Sequence, residues 1–481
     1  MRYMNHCRWL ILLIVGMSII KLAHSQNTMY FQQSIPQRTL LNPAFTSTCN
    51  YIGIPVLSSF YFNYDNTAFA YNELFPEQDG SRVPDIGMLT KNMHNLDLFH
   101  IQLNTNLFSL GLNYKEYYFH FNIAEKIGFK VTANRGFMDL VWEGNSQFAG
   151  QTFQTDRIGF QYEYYREYSL SAAKWLDDRW KVGVRAKLLF GKLNLMTRKE
   201  DLTLRTGTDM YNLDISASYL VNGSFPVDLQ NNANGKVTSV SMQSIDAKSL
   251  LLNGKNPGFG VDVGAVYQYT EDIRFYGSLI DIGFIRWRDN LNNVEVDQQF
   301  RYRGISQEDI ESDFNVQEFV DSVRDSWRTN TYSEAYSSAL TGKIYAGATY
   351  SLNPQMQLGA VTKTLLYRRR FYPSLTLSYN ARLFDFLAVG ASYSYRNYAF
   401  NNIGAAIALQ SKTMQFYMAT DNLLAIKPLN TRNINVRFGI NFFFNCRERS
   451  TDKDQPAVQG RADCFWIERE RQQERIKSPR K

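Results

Sequence analysis

The chain has 481 residues and a formal net charge of +7, and 44% of it is hydrophobic, 20% charged and 15% aromatic. It carries 30 Tyr, 33 Phe and 7 Trp, but only one apolar run approaches the ~20 residues that each helix of a helical membrane protein needs, and that run is at the start. The composition therefore excludes a membrane helix bundle and points to a β-rich chain facing two solvents.

Arg2 and Arg8 precede an apolar run over residues 9–20, and Ala23-His24-Ser25 places small residues at −3 and −1 before Gln26. This layout predicts a secretory signal over residues 1–25, cut between Ser25 and Gln26. An anchor that stays attached is the other reading. Cys7 lies ahead of the apolar run, so it is not placed to be a lipidated first residue. The signal holds Arg2, Arg8 and Lys21, and residues 446–481 hold ten Lys/Arg against seven Asp/Glu. The positive charge thus sits at the two ends, and the body between is close to neutral. That excludes a nucleic-acid footprint.

Residues 26–50 are polar, broken by Asn42-Pro43-Ala44-Phe45. They either tether the first strand from the periplasm or plug a lumen. From 51 to 445 the chain alternates. Val182, Val184, Ala186, Leu188 and Phe190 interleave with Lys181, Gly183, Arg185 and Lys187. Val261, Val263, Ala265 and Tyr267 interleave with Asp262 and Gly264. Ile434, Val436, Phe438, Ile440, Phe442 and Phe444 interleave with Asn435, Arg437, Gly439 and Asn441. A period of two with one apolar face is the mark of strands. The export signal, aromatics gathered at strand ends and the terminal Phe442-Phe443-Phe444 favour an all-β fold: a transmembrane antiparallel up-and-down barrel rather than a soluble sandwich.

Fourteen spanning strands are predicted, at 52–62, 106–113, 116–124, 158–175, 180–192, 259–270, 273–283, 341–351, 355–364, 372–381, 385–396, 401–410, 413–421 and 432–444. The number is even, as an up-and-down barrel requires. Short turns at 352–355, 382–385 and 410–413 mark the periplasmic end. Longer segments at 365–371, 396–401 and 421–433 mark the outer end, with two large outer insertions at 193–257 and 283–340. Residues 294–302 look β and are assigned to the second insertion. Residues 306–328 read as a helix, with Ile310, Phe314, Val320, Val323 and Trp327 near helical spacing and acidic residues crowding the first half. Such a helix packs on the outer loops or serves as a lid or docking element. Residues 446–481 read as a charged periplasmic tail, either solvent-exposed or in contact with the cell wall or a partner.

The motifs Leu41-Asn42-Pro43-Ala44-Phe45 and Gly53-Ile54-Pro55-Val56-Leu57-Ser58 resemble the amino-terminal signature of a Bacteroidota outer-membrane barrel family of unknown function. Asp281-Ile282-Gly283-Phe284-Ile285-Arg286-Trp287, Thr420-Asp421-Asn422-Leu423-Leu424 and Asn435-Val436-Arg437-Phe438-Gly439-Ile440-Asn441 resemble its later motifs. More distantly, residues 258–267 and 342–350 resemble strands of fatty-acid-transport barrels and of type IX secretion barrel subunits. These resemblances imply a fourteen-stranded barrel in the outer membrane of a Gram-negative bacterium. The closer family brings no catalytic residues.

The mature chain holds three histidines, His94, His100 and His120, with no metal-ligand spacing. His120 on a strand is the one candidate base for a Ser/His hydrolase, without an obvious Ser partner. The reading is therefore not an enzyme, with no metal and no cofactor. Function is expected on the inner face, which by alternation includes Arg185, Lys187, Asp262, Asp281, Lys343, Lys363 and Arg437. Charge at membrane depth is tolerated when it faces an interior. These residues either form a network that fills the barrel or line a conduit. Cys49 and Cys446 flank the first and last strands, which closure makes neighbours, so a disulfide between them is one candidate pairing and Cys446 with Cys464 the rival. The expected partners are outer-membrane lipid and either a small apolar ligand or a periplasmic or surface protein, with no nucleic acid. Two functions follow: passage of small apolar molecules, or a non-transporting docking platform for secretion or surface proteins.

Overall fold

The structure is a computed structural model. It describes residues 27–446 apart from 79–80, 84, 144–147, 157, 209–212, 232–236, 243–253, 303–328, 397–398 and 427. The predicted helix at 306–328 and the tail beyond 446 lie outside the described residues.

Fourteen antiparallel strands close into a barrel. β1 comes in two pieces, Asn50–Gly53 and Phe60–Asn66. Then follow β2 (Asp97–Tyr114), β3 (Tyr117–Ala133), β4 (Gly159–Trp175), β5 (Trp180–Thr206), β6 (Asn256–Gln268) and β7 (Ile273–Trp287). The ring continues with β8 (Gly342–Asn353), β9 (Met356–Tyr367), β10 (Arg370–Phe384), β11 (Leu387–Arg396), β12 (Ala399–Gln410), β13 (Met414–Thr420) and β14 (Asn433–Phe444). β1 pairs with both β2 and β14, with Asn50 opposite Phe444 and Phe60 opposite Phe438, and this closes the ring.

The burial pattern is inverted relative to a soluble protein. On β14 the polar Asn435, Arg437 and Asn441 are buried, while Phe442 is 42% exposed. On β5, Arg185 is 1% exposed and Leu188 58%. Exposed aromatics gather near the short-turn end: Tyr114, Tyr117, Trp180, Tyr269, Phe275, Tyr350, Phe384 and Phe386. Among the described residues no helix is long and apolar enough to cross a membrane; this does not bear on strands.

Several boundaries differ from the sequence reading. β2 and β3 run far beyond 106–113 and 116–124. Their extra length carries Gln102, Asn104, Lys126 and Lys130, inward polar residues that break an apolar alternation but not a strand whose inner face is polar. β5 continues through the expected start of the first insertion as far as Thr206. Its far half pairs with Leu213–Ser224, which pairs with Leu291–Tyr302, which pairs with Thr329–Tyr332. The outer excursions therefore raise one side of the wall as a projecting sheet. The connection between β9 and β10 is a tight turn rather than a long segment, with Arg368 and Arg369 both at positive φ. Short helices at Tyr71–Leu74, Ile86–Asn92 and Arg135–Glu143 lie in the outer connections and were not read from sequence.

The first strand is interrupted where it meets the last. Gly53 lies opposite Asn441 and Phe60 opposite Phe438, so residues 54–59 of β1 face only Gly439 and Ile440. The excess chain forms a bulge in the wall. Pro55, Val56 and Leu57 turn outward, with Val56 at φ 67, and Ser58 and Ser59 turn in. The Ser58 carbonyl crosses over Gly439, where a Cβ would lie 2.2 Å from it. Glycine is required by that approach. Gly439→Ala is expected to destabilise the closed barrel by about 1–3 kcal/mol, the usual cost of overpacking. The check is a lower temperature for loss of the fast-migrating folded band in semi-native electrophoresis; an unchanged temperature would show that the bulge moves aside freely.

Candidate functional site in the barrel lumen

Residues 27–48 run inside the barrel, from Asn27 near mid-lumen to Cys49 at the short-turn end. Two short 3₁₀ turns, Thr28–Phe31 and Pro36–Leu40, compact the segment. Many of its polar groups find hydrogen-bond partners on the wall, as burial demands. The Thr28 and Asn27 backbone N–H groups donate to the Asp421 carboxylate at 2.8 and 3.3 Å. Asn27 Nδ2 donates to Thr376 at 2.7 Å, and Gln32 Nε2 to Asn380 at 2.6 Å. Asn441 Nδ2 donates to Gln37 at 3.0 Å.

The Asn42-Pro43-Ala44-Phe45 motif acquires a physical role here. Asn42 Nδ2 donates to the carbonyls of Ala265 and Gly277, at 3.3 and 3.2 Å, on β6 and β7. Its Oδ1 accepts the Ala44 N–H at 2.9 Å. Gly264 makes room, since a Cβ there would lie 2.0 Å from Asn42 Oδ1. Beside this anchor, Tyr30 stacks on Tyr345 with centroids 5.4 Å apart, and Phe45 meets Tyr276 edge-on at 5.4 Å. These rings join Met29, Phe31, Ile35 and inner-wall residues Val266, Ile280, Val361 and Ala406 in one buried apolar cluster.

Above the segment lies a charged network. Of the inner-face residues singled out by alternation, Arg185, Lys187, Asp262, Asp281 and Lys343 meet there. Arg185 Nη1 contacts Asp262 at 2.8 Å, and a second guanidinium nitrogen donates to the Thr39 carbonyl of the lumenal segment. Lys187 bridges Asp262, at 2.6 Å, and Asp281. Lys343 contacts Asp281 at 2.6 Å. Arg437 lines a cleft with Lys343 and Asp281 but donates to Ser59 at 3.0 Å, with its guanidinium 4.5 Å from the Tyr61 ring. Lys363 is also buried but makes no ion pair among the described residues.

A local backbone feature brings the two aspartates together. The β6–β7 register shifts between Val261 and Val263, and Asp281 takes φ 61, a left-handed conformation that Asp tolerates better than most residues. The Asp281 N–H then donates to Asp262 Oδ1 at 2.7 Å. Sequence reasoning missed Lys126 and Glu167, which complete the cluster: Lys126 pairs with Glu167 and lies 3.6 Å from Asp281. It also missed Lys130–Glu163, Lys192–Glu125 and Arg396–Asp65. Glu163 and Glu167 share the inward parity of β4 with Gln161, Ser169 and Ser171, a signal present in the sequence but masked by the Tyr-rich outward face.

His120 does have a Ser neighbour: Ser109 Oγ lies 3.2 Å from Nε2. Thr39 lies 3.5 Å from Nδ1, and Tyr51 caps Ser109 at 3.1 Å. Both His120 and Ser109 are fully enclosed, so the pair joins the lumenal segment to the wall. Cys49 and Cys446 are joined by a disulfide beside the closing seam; Cys464 lies outside the described residues. Among the described residues no group of three or more His, Cys, Asp or Glu is arranged to hold a metal ion. Two clefts open along the inner wall, one of them against Leu40 and Leu41 of the segment, and they share Asn104, Lys126, Asp281 and Lys343.

The model of a family of unknown function, DUF5723, matches residues 43–421. The chain belongs to the DUF5723 family. No curated protein matches it. Among solved structures, this DUF5723 member is similar to the toluene transporter TbuX of Ralstonia pickettii at 10% identity and TM-score 0.39, covering 85% of this chain and 93% of that one. It is similar to a Pseudomonas aeruginosa FadL homologue at 12% identity and TM-score 0.35, covering 89% and 100%. It is also similar to the translocator domain of the autotransporter NalP of Neisseria meningitidis at 10% identity and TM-score 0.30, covering 88% and 99%. At these values neither cargo nor mechanism follows from the likeness.

Asp281 pairs with three lysines, Lys187, Lys343 and Lys126, and removing one partner of a buried ionic cluster typically costs about 3–5 kcal/mol. Asp281→Ala is expected to lower the urea midpoint of the lipid-reconstituted barrel accordingly, with Asp281→Asn less severe. An unchanged midpoint in both variants would mean that water reaches and solvates the cluster.

Proposed function

We propose that this protein is a barrel of the outer membrane of a Gram-negative bacterium, exported by a signal over residues 1–25, that passes small apolar molecules across that membrane. In this reading residues 27–48 are the plug. The membrane reading is supported by the apolar outer face and the aromatic belt near the short-turn end, which suit lipid and its interface. The cargo reading rests on one observation: the aromatic rings of Tyr30, Phe31 and Phe45 occupy an apolar patch of the inner wall formed by Tyr276, Tyr345, Val266 and Ile280. Withdrawal of the segment would leave that patch open to a ligand of the same chemistry. The surrounding hydrogen bonds are to polar groups that water can satisfy in exchange, so moving the segment costs less than its many contacts suggest.

A second reading, a docking platform for secretion or surface proteins, is favoured by a different observation. The wall rises on one side as the sheet of β5, Leu213–Ser224, Leu291–Tyr302 and Thr329–Tyr332, and the lumen beneath it is occupied.

Immobilising the segment separates the two. In a Cys464→Ser background, Gln37→Cys and Asn441→Cys can be joined by a short bis-maleimide. Uptake of a small naphthyl fluorophore by whole cells is expected to rise several-fold with the uncross-linked protein and to return to background once it is cross-linked. Equal uptake in the two forms would overturn the plug reading. Background uptake in both forms, with the same partner protein retained in both, would replace passage with the platform.

A further inference from the structure

An open cleft lies at the short-turn mouth of the barrel, between the lumenal segment and the wall. Its wall side carries Leu387, Ala388, Ala408 and Phe443 beside the polar Arg382, Asp385 and Gln410, its inner side is Gln33, Ser34, Ser47 and Thr48 of the lumenal segment, and Cys49 and Cys446 lie at its edge. Phe386, which also lines it, is 56% exposed and stacked on Phe384 with centroids 5.4 Å apart. Cys446 is an exposed residue, whereas Cys49 is buried.

The described chain ends at Cys446, in the wall of this cleft, and residues 447–481 continue from that point. The continuation is rich in charged residues, and its longest apolar run is Cys464-Phe465-Trp466-Ile467. That run contains the only cysteine downstream of residue 26 not already paired. An extended chain advances about 3.3 Å per residue, so the stretch between Cys446 and Cys464 can leave the rim and return. Tethering on a short flexible linker gives an effective concentration of order millimolar, so even weak apolar docking is well populated.

We propose that Phe465-Trp466-Ile467 seat in this rim cleft, and that docking presents Cys464 to the Cys49–Cys446 disulfide so that the three cysteines exchange between two pairings. The Cys464 thiolate attacks Cys446 Sγ. The Cys446–Cys464 bond forms as the Cys49–Cys446 bond breaks, and the electron pair leaves on the Cys49 sulfur. That sulfur takes up a proton equivalent to the one lost by Cys464, so no oxidant or reductant is consumed. The exchange releases the covalent staple at the closing seam, at the foot of the lumenal segment, without opening the backbone ladder between β1 and β14. The tail is thereby a built-in control on how firmly that corner of the barrel is held.

The test uses the full-length protein in mild detergent, without reductant. Alkylation of Cys464 by N-ethylmaleimide is expected to be at least tenfold slower than in Trp466→Asp, and Ala388→Trp, which fills the cleft from the wall side, should accelerate it equally. Non-reducing peptide mapping should recover both Cys49–Cys446 and Cys446–Cys464, with the second diminished in Trp466→Asp and absent in Cys464→Ser. Equal alkylation rates in wild type and both variants would overturn docking. Slow alkylation with Cys49–Cys446 as the sole cross-link would keep the docked tail and overturn the exchange. The folded-band assay on Cys464→Ser and Ala388→Trp confirms that barrels are being compared.

Discussion

Pairing of β1 with β14 is the constraint on which the molecule depends. In a closed antiparallel ring each wall strand finds backbone partners on both sides, so no edge is left to template aggregation or to sit unpaired in lipid. The ring can therefore present apolar side chains outward and polar ones inward, the reverse of a soluble domain. Closure tolerates a fault: at the seam six residues of β1 face two of β14, and the excess is absorbed by Ser58 crossing over Gly439. The Cys49–Cys446 disulfide lies beside the same seam, where the first strand's hold on the last is shortest.

Inverted polarity moves the energetic problem to the interior. Charged groups held away from water are tolerated only when paired, and breaking a pair is worse than never having made one. The β6–β7 bulge is the device that meets this requirement. By shifting register at Asp262 and placing Asp281 in a left-handed conformation, it aims two carboxylates at Lys187 and leaves Asp281 able to serve Lys343 and Lys126 as well. Arg185 extends the cluster to the Thr39 carbonyl and so ties the lumenal segment to the wall.

The lumenal segment combines two kinds of contact. Its hydrogen bonds to Asp421, Thr376, Asn380 and Asn441 set its position, while the rings of Tyr30, Phe31 and Phe45 fill the apolar part of the inner wall. A filling made only of apolar contacts would be harder to displace, and one made only of hydrogen bonds would leave Tyr276 and Tyr345 facing a wet lumen. The mixture suits a segment that occupies the lumen without being part of its wall.

Much of this was legible in the sequence. Alternation in β5, β6 and β14 marked the strands and their inward charges, because side-chain direction along a strand is a local property of the backbone. The even strand number follows from the topology class. The full extent of β2 and β3 was hidden because both faces carry polar or aromatic residues there, and the short outer helices lack the length to show a period. The partners of Lys187, Lys343 and Asp281 were beyond reach for a different reason. Which carboxylate meets which amine depends on inter-strand register, on bulges that shift it, and on ring closure bringing residues distant in the chain side by side. The chain alone determined which way each side chain points; only the closed tertiary structure decided what it would find there.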